Sequence, residues 1–175
     1  MRLPGPDQPP VRITVICLGN ICRSPIGEVV LRDRLDTAGL GHRVLVDSAG
    51  TGDWQIGDGA DQRALTTLDA HGYGRPSEHR SRQITPNWFA EIDLALTMDE
   101  ANYANVERLI ARSGQLTELR MMRSFDPALA HLAEPHPDLS VPDPYYGGPG
   151  GFETVLHMIE QAADGLVDDL LRTQS

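Results

Sequence analysis

The chain has 175 residues with an apolar fraction of 40% and a mean hydropathy of -0.30, the size and composition of one water-soluble domain with a single core. Fifteen basic against twenty-five acidic residues give a net charge of -10, a field that repels phosphate backbones and excludes a general nucleic-acid binder. All fifteen basic residues are arginine, so Schiff-base chemistry and a Walker-type phosphate lysine are excluded together.

Residues 1–10 contain four prolines and no apolar periodicity, and read as a disordered lead without the apolar centre of a secretory signal. No apolar run approaches the roughly 20 residues that span a bilayer, so a cytoplasmic protein with no membrane association is expected. The β-branched run Val11-Arg12-Ile13-Thr14-Val15-Ile16 predicts a buried first strand. It stops at the turn-rich segment Cys17-Leu18-Gly19-Asn20-Ile21-Cys22-Arg23. Ser24-Pro25 then resembles a helix start, with Ser24 as the cap and Pro25 in the first turn. Val29, Val30, Leu31, Leu35 and Ala38 carry that helix to Gly39. Gly27 within it weakens the helix by roughly 1 kcal/mol relative to alanine, which points to a close approach by a neighbour.

Val44-Leu45-Val46 predicts a second strand, residues 60–71 a helix, and Ile92 to Met98 a third strand. Asp99 is placed to cap the next helix, which ends near Gly114, and Leu116 to Met122 predicts a weaker fourth strand. Six prolines in residues 124–149 make that stretch a long loop, and the length of 124–142 has no explanation in the sequence. Phe152, Val155, Leu156, Ile159, Ala163, Leu166 and Leu170 recur at helical spacing and predict a long C-terminal helix. Strands alternating with helices imply an α/β single domain over residues 11–172, with a parallel sheet covered on both faces. Ligands of such sheets bind beyond the carboxyl ends of the strands, where the 17–23 loop lies.

A strand, a seven-residue loop and a helix start build an anion cradle from inward backbone N–H groups and the positive helix end. Arg23 offers a planar fork for two oxygens of a phosphate, and Cys17 sits in the same positive field, which favours the reactive thiolate. Cys17 at a strand end also fits a small core residue. Only Cys17 and Cys22 are present, too few for a disulfide scaffold or an all-cysteine zinc site. The histidines show no metal-ligand spacing, so no metal and no cofactor are expected.

The segment Cys17-Leu18-Gly19-Asn20-Ile21-Cys22-Arg23-Ser24-Pro25 resembles the phosphate-binding loop of low-molecular-weight protein tyrosine phosphatases. Asp47-Ser48-Ala49-Gly50-Thr51, Ser77 to Thr85, Thr97-Met98-Asp99-Glu100 and Asp143-Pro144-Tyr145-Tyr146-Gly147 resemble further segments of that family in the same order. The resemblance implies a four-stranded parallel sheet with helices on both faces, and the phosphate-binding loop between the first strand and first helix. It implies Cys17 as the nucleophile of a phosphocysteine mechanism, Arg23 as the phosphoryl ligand and Asp143 as general acid and base. Asp143-Pro144 also fits a plain turn start. By the same resemblance Asn20 is supported by Ser48 and His79, and Trp54, Tyr145 and Tyr146 form the substrate rim. Ser24 either donates to the Cys17 sulfur or caps the helix, His79 alternatively lies on the surface, and Trp54 alternatively faces the core.

The implied partners are phosphotyrosine proteins, with inorganic phosphate or another oxyanion in the cradle, and a monomer is expected. Arg80 and Arg82 are expected to offset the negative charge near the mouth. Two other activities of the architecture are weighed. Arsenate reduction needs cysteines beyond Cys22, and phosphoarginine hydrolysis is seen in relatives with threonine where this loop has Ile21, whose bulk favours a flat phenyl ring by about 1–3 kcal/mol. Cys22 either pairs with Cys17 under peroxide or is a packed small residue. Exposure of Tyr145 and Tyr146 would suit phosphorylation, which the sequence does not decide.

Overall fold

The computed structural model describes residues 1–174. Four strands, β1 (Val11–Cys17), β2 (Val44–Gly50), β3 (Leu94–Thr97) and β4 (Glu118–Met121), form one parallel sheet in the order β2-β1-β3-β4. The helices are α1 (Arg23–Thr37), α2 (Gln62–Ala70), α3 (Glu100–Ser113) and α4 (Gly151–Arg172). The predicted architecture is therefore present, with β1 in the interior of the sheet and Cys17, its last residue, opposite Gly50 of β2.

The period-two alternation of β1 divides the core. Ile13, Val15 and Cys17 face the layer of α1, α2 and α4, with Leu31, Leu68 and Leu156 in the same cluster. Ile16 points to the other face, against Phe89 of the 3₁₀ turn Pro86–Ala90 and Val106 of α3. Fully burying side chains of this size contributes about 1.5–3 kcal/mol each. Gly27 is where α1 crosses the sheet: a Cβ there would stand 2.8 Å from Val15 Cγ1 and 2.9 Å from Met98 Cε. The helix penalty of that glycine is thus exchanged for close helix-on-sheet packing.

β3, β4 and α2 are each shorter than the expected Ile92–Met98, Leu116–Met122 and 60–71, and two further boundaries, in α1 and β2, differ for reasons the structure shows. The helix begins at Arg23, its cap position is Cys22, and no side chain caps it. Ser24 therefore lies inside the first turn, and its hydroxyl is directed to the sulfur of Cys17, which overturns the cap reading. The second strand runs on to Gly50 because Asp47 and Ser48, polar enough to resemble a turn, find partners in Thr14 Oγ1 (2.6 Å) and Asn20 Nδ2 (2.9 Å).

Residues 1–10 contribute no helix or strand, although Met1 and Leu3 pack against the core and the Arg43 guanidinium donates to the Pro4 carbonyl. The long 124–142 segment contains short 3₁₀ turns and packs against α4 at Phe125 and Pro127. Phe125 comes so close to the helix that a Cβ at Gly165 would lie 1.8 Å from its carbonyl oxygen. Glu134 accepts from the Met121 backbone N–H and pairs with Arg120 (2.5 Å), and Leu139 and Val141 are buried. The Val141 N–H donates to the Met98 carbonyl at 2.6 Å, so the segment ends anchored at the carboxyl end of β3. Its length serves to bring Asp143 to the same end of the sheet as Cys17.

Candidate active site

Cys17 and Arg23 form the buried floor of a cleft of about 190 Å³. Leu18, Gly19, Ile21 and Cys22 complete the loop side, and Trp54, Asp143, Tyr145 and Tyr146 stand opposite and above. The residues that the sequence singled out for nucleophile, anion ligand, acid and rim are thus brought together. A larger hollow of about 410 Å³ lies along β2, lined by Arg12, Arg32 and Asp36 among others, and no cysteine, serine, threonine or histidine lines it.

The loop takes its shape from Asn20, which has φ +57° and is wholly buried. Left-handed backbone is uncommon outside glycine, and asparagine is among the residues that tolerate it. The Arg82 backbone N–H donates to Asn20 Oδ1 (3.0 Å), which fixes the amide orientation. Asn20 Nδ2 then donates to Ser24 Oγ (2.8 Å) and Ser48 Oγ (2.9 Å). Because Ser24 accepts there, its own proton is free for Cys17 Sγ at 3.0 Å, closer than the alternative Ala49 carbonyl at 3.4 Å. The Asn20 N–H also donates to Cys17 Sγ (3.3 Å). Among the described residues, the N–H groups of Leu18, Gly19, Ile21 and Cys22 donate to no protein acceptor. Such unpaired donors in a curled loop are an anion-binding concavity.

Neighbouring segments brace this loop. His79 Nε2 lies 2.7 Å from the Asn20 carbonyl, which only accepts, so the ring carries its proton on Nε2. Burial, with the charges of Arg82 and Arg80, holds the His79 pKa below its ordinary value despite that bond. Ser81 Oγ donates to the Gly19 carbonyl (2.7 Å). Gly50 allows the close approach of β2, since a Cβ there would meet the Leu18 carbonyl oxygen at 2.7 Å.

Arg23 Nη1 donates to Asp99 Oδ2 (2.6 Å) and to the Val141 carbonyl (3.0 Å). The sequence had given Asp99 only a capping role. It keeps that role through Oδ1, which accepts from the Asn102 N–H (2.7 Å), while Oδ2 orients the guanidinium. Arg23 Nε and Nη2 donate to no protein acceptor among the described residues, leaving that edge for two phosphate oxygens, with Asp143 Oδ2 3.7 Å from Nη2. Burial opposes the Arg23 charge, but the Cys17 sulfur, Asp99 and Asp143 outweigh it and push its pKa up. Cys22 behaves differently: burial first, then Asp61, Cys17 and Asp143, push its thiol up to about 12, so it stays protonated.

Asp143 Oδ1 accepts from the Tyr145 N–H (3.0 Å), and the two tyrosine rings meet edge-on at 4.8 Å. Trp54 is 62% exposed, so its indole is a rim group and not a core one. Gln55 also lines the cleft and was missed, since nothing distinguishes one polar loop residue in the sequence. Arg80 and Arg82 do not line it. Arg82 pairs with Asp47 (3.3 Å) and stacks 4.9 Å from the Trp88 ring, and Arg80 donates to the His79 carbonyl. Among the described residues no helix is long and apolar enough to cross a membrane, and no group of three His, Cys, Asp or Glu residues is placed to hold a metal ion.

Comparison with known proteins identifies the family and the fold. The family model for low molecular weight phosphotyrosine protein phosphatase matches residues 12–175. A low molecular weight protein-tyrosine-phosphatase of Streptomyces coelicolor is 46% identical over 156 residues, covering 89% of this chain and 91% of its own. The crystal structure of Primo-1 superposes with a TM-score of 0.80 at 39% identity, over 92% of this chain and 99% of that one. That of DARP, described as a drosophila arginine phosphatase, gives 0.79 at 25% identity, over 90% and 96%. The chain belongs to the low-molecular-weight phosphotyrosine protein phosphatase family, enzymes that hydrolyse phosphate monoesters.

Proposed function

We propose that the protein hydrolyses phosphotyrosine in other proteins in two steps through Cys17. The observation that carries this reading is the convergence, in one cleft, of a sulfur, a ring of unpaired amides, an uncommitted guanidinium edge and a carboxyl group. In the first step the Cys17 thiolate attacks phosphorus, and an S–P bond forms as the P–O bond to the tyrosine breaks. The Asp143 carboxyl gives its proton to the departing oxygen. In the second step Asp143 takes a proton from water, the oxygen attacks phosphorus, and the S–P bond breaks to return thiolate and inorganic phosphate.

Arg23 and the loop amides meet the charge spread over the equatorial oxygens, a role of positioning and electrostatics that phosphoryl transfer rewards. That supply of positive charge requires no metal or cofactor. Proton transfer by a placed acid contributes typically about 10²–10⁴-fold. Residues 11–172 form the working unit behind the 1–10 lead. The cleft is complete within one chain, which supports action as a monomer on phosphoproteins, and the cytoplasm is the proposed location. Ile21 lines the cleft and narrows it for a branched guanidinium phosphate. Cys17 and Cys22, both free and buried, are the two cysteines of the chain, and an arsenate-reducing cycle would need more.

The test compares tyrosine-, serine- and arginine-phosphorylated peptides under chelating conditions. Phosphotyrosine is expected to turn over fastest, and Cys17→Ser to abolish hydrolysis while inorganic phosphate still binds. Substantial turnover by Cys17→Ser would remove the nucleophile, and faster release from phosphoarginine would reassign the substrate.

A further inference from the structure

One side chain outside the proposed chemistry joins the two loops that meet at Cys17. Arg63 lies in the first turn of α2, and its Nε and Nη2 donate to the carboxylate of Asp61, the helix cap, at 3.0 and 2.9 Å. The Asp61 backbone N–H donates in turn to the Ile21 carbonyl of the phosphate loop (2.8 Å). Arg63 Nη1 reaches the other way, to the Tyr145 carbonyl at 3.0 Å. Its guanidinium carbon stands 5.3 Å from the Tyr145 ring centre and 4.8 Å from that of Phe152. The Tyr145 N–H is the group that holds Asp143 Oδ1.

We propose that Arg63 is a positioning residue for the general acid: clamped behind the phosphate loop by Asp61, it fixes Tyr145, and Tyr145 fixes the Asp143 carboxyl. Its charge is matched by Asp61, so it is not a phosphate ligand. Its use is the planar fork, which serves a carboxylate on one edge and a carbonyl on another while lying against two rings, a set of contacts lysine does not reproduce. The chain beyond Tyr146 runs Gly147-Gly148-Pro149-Gly150 and supplies little stiffness of its own. Val141 anchors the segment from one side, and Arg63 anchors it from the other.

The inference rests on Asp143 acting as the acid, and the experiment separates the two claims. Values of kcat/KM for phenyl phosphate, whose leaving group needs a proton, and 4-nitrophenyl phosphate, whose leaving group does not, are measured for Arg63→Ala, Arg63→Lys, Asp143→Ala and Arg63→Ala/Asp143→Ala. Displacing a reacting group by a fraction of an ångström costs on the order of tenfold. Both Arg63 variants are therefore expected to lose about tenfold on phenyl phosphate and less than about twofold on the nitrophenyl ester, with no added selectivity once Asp143 is gone. Equal losses on both esters, or a selective loss that persists without Asp143, overturn the role of Arg63 and leave the acid standing. Absence of selectivity in Asp143→Ala itself removes the acid and this inference with it. Should Arg63→Ala not fold, Arg63→Lys carries the comparison, because it keeps the charge and most of the stem.

Discussion

In the phosphate loop the groups that set the backbone are enclosed, Asn20 and Ser24 being inaccessible to solvent, whereas in the 143–150 arm Tyr146 is 93% exposed and Asp143 is held by one backbone donor. The first region has its side-chain hydrogen bonds satisfied from inside: Asn20 alone engages Ser24, Ser48 and the Arg82 backbone. The second depends on Val141 at one end and Arg63 near the other. The difference follows the chemistry each serves. Charge on a phosphoryl group is best met by donors that need not reorganise. The roles proposed for Asp143 and the rim, donating a proton and receiving phosphoproteins, tolerate local freedom.

The largest effect expected from probing this contrast is at the exposed side. Asp143→Ala is expected to slow phenyl phosphate by about 10²–10⁴-fold and 4-nitrophenyl phosphate far less, with the unfolding midpoint unchanged. A drop in stability as large as that expected for a variant of the phosphate loop would show that the arm is structural after all. Asn20→Ala acts on the enclosed side: it leaves two hydroxyls and a backbone N–H without their partner and is expected to destabilise the fold by about 1–3 kcal/mol in urea titration, with kcat falling in parallel. If stability holds while kcat falls, the loop is not self-braced as described.

Trp54→Ala sharpens the contrast by removing an exposed wall. It is expected to raise KM for phosphotyrosine peptides about two- to tenfold, the worth of an aromatic contact, with kcat unchanged. A fall in kcat would place the indole among the groups that act in the transition state. The smallest effect concerns His79. Its folded pKa is depressed, so the fold favours the neutral ring. That contribution is complete above the unfolded value near 6.5, declines as the pH falls through it, and levels off below the folded value. Burial raises the Glu28 carboxyl, which acts with the opposite sign and is common to wild type and variant. The measurement is therefore the difference between wild type and His79→Gln in urea midpoints at pH 5.5 and 7.5. Wild type is expected to lose more on acidification, and equal losses would separate His79 from the brace.

Much of this was legible because it is local. The β1 run, the turn-rich loop and the spacing of Cys17 and Arg23 are adjacent in the chain, and the α4 pattern repeats over many turns. What escaped is non-local. Asp99 fits its cap so well that nothing in the sequence shows its second oxygen on Arg23. Gly50 is explained only by the Leu18 carbonyl, 32 positions earlier in the chain. Arg82 resembles a free cation until Asp47 and Trp88 are seen beside it.

The contact between Gly165 and Phe125 carries a consequence for how this molecule is tuned. The segment pressed onto α4 at that glycine continues to Val141 and on to Asp143, so the seam is connected through the chain to the proposed proton donor. A wedge driven into it, whether a methyl group or a bound small molecule, is expected to reach both sides of the cleft through Val141, whose carbonyl accepts from Arg23 and whose chain continues to Asp143.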